Sequence, residues 1–349
     1  MDKVDLVLVT GAGGFIGGHL VSELRRRGHT RIRAVDIKPV REWYQPFSDT
    51  DCRSMDLRRL DECEEAARGA RYVFNLAADM GGMGFIEQNK TACMLTVLIN
   101  THMLMAARRQ GVERFFFSSS ACVYAAGKQT SARVLPLREE DAYPAMPEDG
   151  YGWEKLFSER MCRHFTEDFG LVTRVARYHN VYGPYGTYSG GREKAPAAIC
   201  RKVVEALTSG SNEIEIWGDG EQTRSFTYVD DCVEGTLRLM ASDVTEPVNL
   251  GSDELVSINQ LVDVVEQIAG IKLRRRYRVD APTGVRGRNS DNTLIAARLG
   301  WAPSIRLEDG MRQTYAWVLG QMLEASECAG RVRSPGGAHL SDPTARHSS

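Results

Sequence analysis

Apolar and polar positions in the first half of the chain switch repeatedly between two periods. "DLVLVTG" (5–11) is a short apolar run of strand type, and "FIGGHLVSELRRRG" (15–28) spaces its apolar residues as an amphipathic helix does. "RIRAVDI" (31–37) and "RYVFNLAA" (71–78) read as a second and third strand. A long helix is expected over 86–111, then a fourth strand, "ERFFFSSS" (113–120). "YGWEKLFSERMCRHFTEDFG" (151–170) reads as a helix and "LVTRVARY" (171–178) as a fifth strand. This alternation predicts an α/β fold built on a parallel, doubly wound sheet, since parallel neighbours need a crossover and a helix supplies it.

After about residue 180 the rhythm gives way to the Gly- and Pro-rich loop "GPYGTYSGGREKAPAA" and shorter elements. The expected organisation is a main domain over 1–180 and a smaller C-terminal lobe over 181–325, with some elements returning to the main sheet. The segment 326–349 is polar and rich in Gly, Pro and Ser, which predicts a disordered tail.

Composition removes several classes of function. A net charge of -2 with no basic block gives no reason to expect a nucleic-acid partner. No apolar run approaches the roughly 18 residues that suggest a membrane span, and the N-terminus lacks the pattern of a cleavable signal. No membrane association is expected, and a cytoplasmic location is the default. The eight cysteines are scattered with no CxxC pair, and the seven histidines have no metal-type spacing. Neither a disulfide framework nor a metal site is expected.

"VTGAGGFIGGHL" follows the first expected strand and opens the first helix. Gly11, Gly14 and Gly17 permit a tight turn, and with Phe15 and Ile16 they bring backbone N–H groups toward a pyrophosphate at the helix N-terminus. A Gly-rich turn alone could be a mobile loop; its place in a βαβ unit makes it a Rossmann-type dinucleotide signal. Asp36 ends the second strand, 25 residues after Gly11. A carboxylate there binds ribose hydroxyls and repels a 2′-phosphate, which favours NAD over NADP. Asp56 and Leu57 end the next extended segment and could meet the adenine edge, although a helix N-cap explains Asp56 equally well. Ala77 supplies a small side chain where backbone passes the cofactor, or simply a tight helix–strand contact.

"YGWEK" places Tyr151 and Lys155 at i and i+4, on one helical face. A phenol of pKa about 10 is a poor base at neutral pH. A neighbouring ammonium and a cationic nicotinamide would favour phenolate, allowing it to take a proton from a sugar hydroxyl.

Together with the serines after the fourth strand, these features make the chain, over roughly 5–325, similar to the extended short-chain dehydrogenase/reductases that modify nucleotide sugars. The resemblance implies a catalytic set of Ser120, Tyr151 and Lys155. More narrowly, "NLAADMGGMGFI" (75–86), "SSACVY" (119–124), "YHNVYGPYGT" (178–187), "GGREKAPAA" (190–198), "WGDGEQTRSFTYVDDCVEG" (217–235), "EPVNLGSDE" (246–254) and "GVRGRNSDN" (284–292) resemble the 3,5-epimerase branch that acts on GDP-mannose. That branch implies transient oxidation at C4, which acidifies C3–H and C5–H, followed by inversion between Cys122 and Lys194. A thiol of pKa about 8.5 and an ammonium of about 10.4 can be tuned into such a base–acid pair by proximity and burial. Taken alone, Cys122 could be a packed thiol and Lys194 a solvated loop charge.

The same resemblance implies sugar contacts from Gly81, Ala121, Cys122 and Asn180, with Glu193, Lys194 and Ala195 nearby. It implies nucleotide contacts from Lys202, Gln222, Thr223, Arg224 and Arg288, and a homodimer. The partner is then GDP-mannose or a related nucleotide sugar. A 4-epimerase of another nucleotide sugar and a silent NAD-binding scaffold are the alternatives.

Overall fold

The computed structural model describes residues 1–148 and 150–332. The strands are β1 (Val7–Thr10), β2 (Ile32–Asp36), β3 (Asp51–Ser54), β4 (Tyr72–Asn75), β5 (Arg114–Ser120), β6 (Val172–Tyr178) and β7 (Val181–Tyr182), followed by β8 (Glu213–Trp217), β9 (Thr223–Ser225), β10 (Thr227–Tyr228), β11 (Val248–Leu250), β12 (Leu255–Ser257), β13 (Arg274–Arg278) and β14 (Gly287–Arg288). The helices are α1 (Phe15–Arg26), α2 (Leu60–Ala67), α3 (Met83–Gln88), α4 (Lys90–Met94), α5 (Thr96–Arg109) and α6 (Tyr151–Phe169), then α7 (Ala195–Ser209), α8 (Val229–Ala241), α9 (Ile258–Ala269), α10 (Thr293–Leu299) and α11 (Leu307–Val332).

Seven strands form one parallel sheet in the order β3-β2-β1-β4-β5-β6-β11. The near-continuous apolar runs follow from a sheet covered on both faces. In β1, Val7 and Val9 enter one buried cluster while Leu8 enters the other. In β5, Phe116 goes to the first face and Phe115 and Phe117 to the second. Helices α1, α8 and α9 contribute to the first cluster, and α2, α5 and α6 to the second.

Strand β11 returns from the C-terminal half to pair with β6. The rest of that half carries small sheets, β7 with β10, β12-β9-β14, and β8 with β13. Two expectations change. The helix expected over 86–111 is three helices, α3, α4 and α5, with Asn89 at the first break. There the Asn89 amide donates to the Phe85 carbonyl at 2.9 Å, a local bond that competes with continuing the helix. At the other end, α11 runs to Val332, so the segment expected to be disordered from 326 begins inside a helix. Its remainder lies outside the described residues.

Candidate active site

The glycine turn follows β1, whose neighbours in the sheet are β2 and β4, with β5 beyond β4, so the carboxyl ends of these strands lie on the same side of the sheet. Gly11 has φ +69, and a methyl group at Gly17 would sit 2.2 Å from the Gly11 carbonyl oxygen. Gly14 caps α1 without a side chain, so the first helical N–H groups face the turn. Phe15 and Ile16 are half-buried and pack on the core. Asp36 is buried at the end of β2, where one carboxylate oxygen accepts from the Lys38 N–H at 3.0 Å. Leu76 and Ala77 each donate a backbone N–H to Thr10 Oγ1 at 3.1 Å, which brings that segment against Gly11. This cradle fits a dinucleotide diphosphate. Asp56 is turned aside, with both carboxylate oxygens on Arg58, while Leu57 is buried. The helix N-cap role open for Asp56 falls to Arg59 instead.

At the exit of β5, Ser120 begins a single turn over Ala121–Val123 and accepts the Cys122 N–H at 3.2 Å. Tyr151 opens α6, is buried, and is hydrogen-bonded to Ser120. The close seat of α6 depends on Gly152, where a methyl group would lie 2.3 Å from the Cys122 carbonyl oxygen. Burial pushes the Tyr151 phenol well above its ordinary range, and the nearby Cys122 and Glu154 push the same way, against the Ser120 hydrogen bond. The pull toward phenolate expected from a neighbouring ammonium and a cationic nicotinamide has this burial to oppose. Lys155 is buried, with its ammonium 4.8 Å from the Phe117 ring and 5.6 Å from that of Tyr151.

Lys194 arrives from the other half of the chain as the residue capping α7. Its loop is clasped to the segment after β4. The Gly82 N–H donates to the Arg192 carbonyl at 3.0 Å, and a methyl group at Gly82 would lie 2.4 Å from the Glu193 carbonyl oxygen. Arg192 also pairs with Asp79 at 2.7 Å and covers the Phe85 ring. Burial lowers the Lys194 ammonium from its ordinary range, opposed by the charge of nearby Cys122.

Arg288 on β14 reaches the same place. Its guanidinium donates to Cys122 Sγ at 3.6 Å and to Gln129 Oε1 at 2.7 Å, and it pairs with Glu148. Arg224 is buried nearby, and its guanidinium donates to the carbonyls of Thr223, Thr283 and Val285. Burial lowers Arg224 to about 10. Gln222 Oε1 is buried with no hydrogen-bond partner, and its amide donates to the Trp217 carbonyl. Thr223 Oγ1 donates to the Ala132 carbonyl at 2.6 Å. Asn180 has φ +40 and donates to the Ser225 carbonyl at 3.0 Å.

Gly81 packs on Phe85, Ala195 starts α7, and Glu193 accepts from the Gly191 N–H and pairs with Arg201. Lys202 is tied to the Glu215 carbonyl at 2.8 Å, out beside Trp217. The structure therefore gathers Ser120, Tyr151, Lys194, Arg224 and Arg288 around Cys122, with Lys155 beside Tyr151. Asp56 and Lys202 are engaged elsewhere. Glu148, Gln129 and Glu154 were not singled out by the sequence. Glu154 sits inside the Tyr151–Lys155 spacing, Glu148 three residues before it and Gln129 five residues after Tyr124.

The NAD dependent epimerase/dehydratase family model matches residues 7–251. The chain belongs to that family. Among relatives of this epimerase/dehydratase chain, "GDP-mannose 3,5-epimerase 1" of Oryza sativa subsp. japonica is 51% identical, over 90% of this chain and 82% of that one. "GDP-mannose 3,5-epimerase" of Arabidopsis thaliana is 49% identical over the same shares. Among solved structures, UDP-glucose 4-epimerase from Thermotoga maritima with UDP-glucose has a TM-score of 0.80 at 27% identity, covering 90% of this chain and 99% of that one. MoeE5 in complex with UDP-glucose and NAD has a TM-score of 0.73 at 28% identity, covering 91% and 99%.

Proposed function

We propose that this protein epimerises GDP-mannose at C3, C5 or both through a transient 4-ketone, giving GDP-L-galactose, GDP-L-gulose or both, with NAD held in the β1–α1 cradle. The observation that carries this reading is that Lys194, from the second half of the chain, lies near enough to Cys122 for the charge of each to act on the other, beside the Ser120–Tyr151 pair.

Gly11, Gly14, Gly17 and Asp36 hold the dinucleotide, whose nicotinamide supplies a reversible hydride acceptor. Tyr151 takes the O4 proton, and Ser120 hydrogen-bonds O4. The C4 ketone turns the carbanion at either neighbour into an enolate. Cys122 removes the proton on one face, breaking the C–H bond. Lys194 delivers a proton from Nζ to the other face, forming the new bond. Arg288 and Arg224 supply guanidinium donors suited to a diphosphate.

In this reading the protein is a cytoplasmic homodimer. The seven described cysteines are all unpaired thiols, in keeping with a reducing compartment. Met94, Leu95 and Leu98 are exposed on α4 and α5 beside Trp153 and Phe157 on α6, an apolar face suited to a second copy.

Incubating purified protein with GDP-mannose in D2O tests the reading. Deuterium at C3 or C5 of recovered nucleotide sugar is the expected result. Inversion at C4 without solvent label, or no conversion, overturns it.

A further inference from the structure

Beside Tyr151 the chain buries a carboxyl group that these proton transfers do not use; burial pushes it above the usual carboxylate range, opposed by Lys155 and by its hydrogen bonds to Ser158 and Asn100. The Glu154 side chain is fully enclosed, and its Oε2 lies 3.8 Å from Nζ of Lys155, which is itself 1% exposed. Oε1 accepts from the Asn100 amide and from Ser158 Oγ, the latter at 3.0 Å. Oε2 has no hydrogen-bond partner. A proton on Oε2 would be a buried donor with nothing to receive it, whereas two donors on Oε1 suit a carboxylate.

The anchor runs deep. Asn100 accepts from Asn75 Nδ2 at 2.8 Å, and Asn75 Oδ1 accepts from Thr10 Oγ1 at 2.8 Å, at the ends of β4 and β1. Among the described residues, Glu154 is the only carboxylate paired with Lys155. The other titratable groups bearing on the spot are Tyr151 and Cys162 of α6, Cys93 of α4 and Cys122 after β5.

An unpartnered buried ammonium would pull Tyr151 strongly toward phenolate. That populates the phenolate but leaves it a weaker base toward the O4 proton. We propose that Glu154 is a positioning residue that holds Lys155 as one half of a buried ion pair and so limits how strongly the ammonium draws the proton from Tyr151. The proposal rests on reading Tyr151 as the O4 base. Before the hydride moves, the cluster holds two cations (Lys155 and nicotinamide) and two anions (Tyr151 and Glu154). Afterwards it holds Lys155 and Glu154, so the site stays neutral on both sides of the step.

The test is Glu154→Gln, which keeps the acceptor at Oε1. Ionisation of Tyr151 is read in protein without substrate or added dinucleotide, as ultraviolet difference absorbance against the matching Tyr151→Phe protein. It is expected at lower pH than in wild type, with Glu154→Asp between the two. In turnover, the ratio of kcat/KM at about pH 6 to that at about pH 8 is expected to rise about fivefold, as displacing an acid limb near neutral pH by one unit would produce. An ionisation curve that coincides with wild type overturns the proposal. Should Glu154→Gln not fold, Glu154→Asp carries the test alone, and coincidence with wild type again overturns it. If wild-type protein converts no GDP-mannose, the functional reading fails, while the Tyr151 titration still decides the role of Glu154.

Discussion

The Arg288 guanidinium and the Cys122 sulfur lie 3.6 Å apart, joined from positions 166 residues distant. Glu148 and Gln129 hold the other edges of that guanidinium, so its aim at the sulfur is fixed from two sides. Cys122→Ala is expected to abolish deuterium exchange at C3 and C5 while dinucleotide binding persists. Arg288→Lys loses the planar fork and is expected to slow exchange about tenfold or more. Isotope exchange by mass spectrometry, beside calorimetric titration with NAD, separates the two effects.

Gly152 lets α6 and the turn carrying Cys122 touch. Gly152→Ala puts a carbon 2.3 Å from the Cys122 carbonyl oxygen, so helix and turn must part. The expected cost is about 1–3 kcal/mol of stability, together with a fall in activity larger than the lost stability explains. Denaturant unfolding and initial rates measured on the same preparation check this.

Burial lowers the Lys194 ammonium. As an acid, Lys194 works only while protonated. Activity should therefore fall as pH rises through a value below the ordinary lysine range. Lys194→Arg keeps its charge to much higher pH and is expected to erase that alkaline limb along with most of the inversion. A pH–rate profile showing the same limb in Lys194→Arg would assign it to another group.

His179 is fully buried, with Nε2 on Asn249 at 2.9 Å and Nδ1 without a partner. Burial lowers it from 6.5 to about 4. The unfolded chain therefore binds a proton that the folded chain refuses between those values. The neutral ring's contribution is complete above pH 6.5 and is lost as pH falls through that window toward 4, by about 3 kcal/mol. His179→Gln should flatten the slope of unfolding free energy against pH there, measured by urea titration at several pH values.

What the sequence made legible was local. The glycine turn, Asp36 at its strand end and the Tyr151–Lys155 spacing each need only neighbours within one βαβ unit or one helix turn. The pairing of β11 with β6 could be anticipated only in outline, because strand order is set by long-range contacts. Asn89 ended a helix that periodicity alone continued, since its amide bonds the Phe85 carbonyl. The hold of Glu148 on Arg288 and of Asn100 on Glu154 join separate elements, and no spacing rule spans them. Cys122 and Lys194 came from resemblance. The fold explains their meeting, through the Ser120 turn on one side and the Gly82 clasp on the other.

The clasp at Gly82 bears on whether this chemistry is portable. Lys194 follows β6 in the chain, yet its loop takes its position from Asp79, Gly82 and Phe85, which follow β4. A cysteine and a lysine transplanted into a C4-only relative would leave the lysine on an untethered loop. Such a graft is expected to show no solvent exchange at C3 or C5 until the 79–86 segment is moved with them. Inversion is thus expected to draw on two stretches of chain at once, the 79–86 segment and the loop it holds.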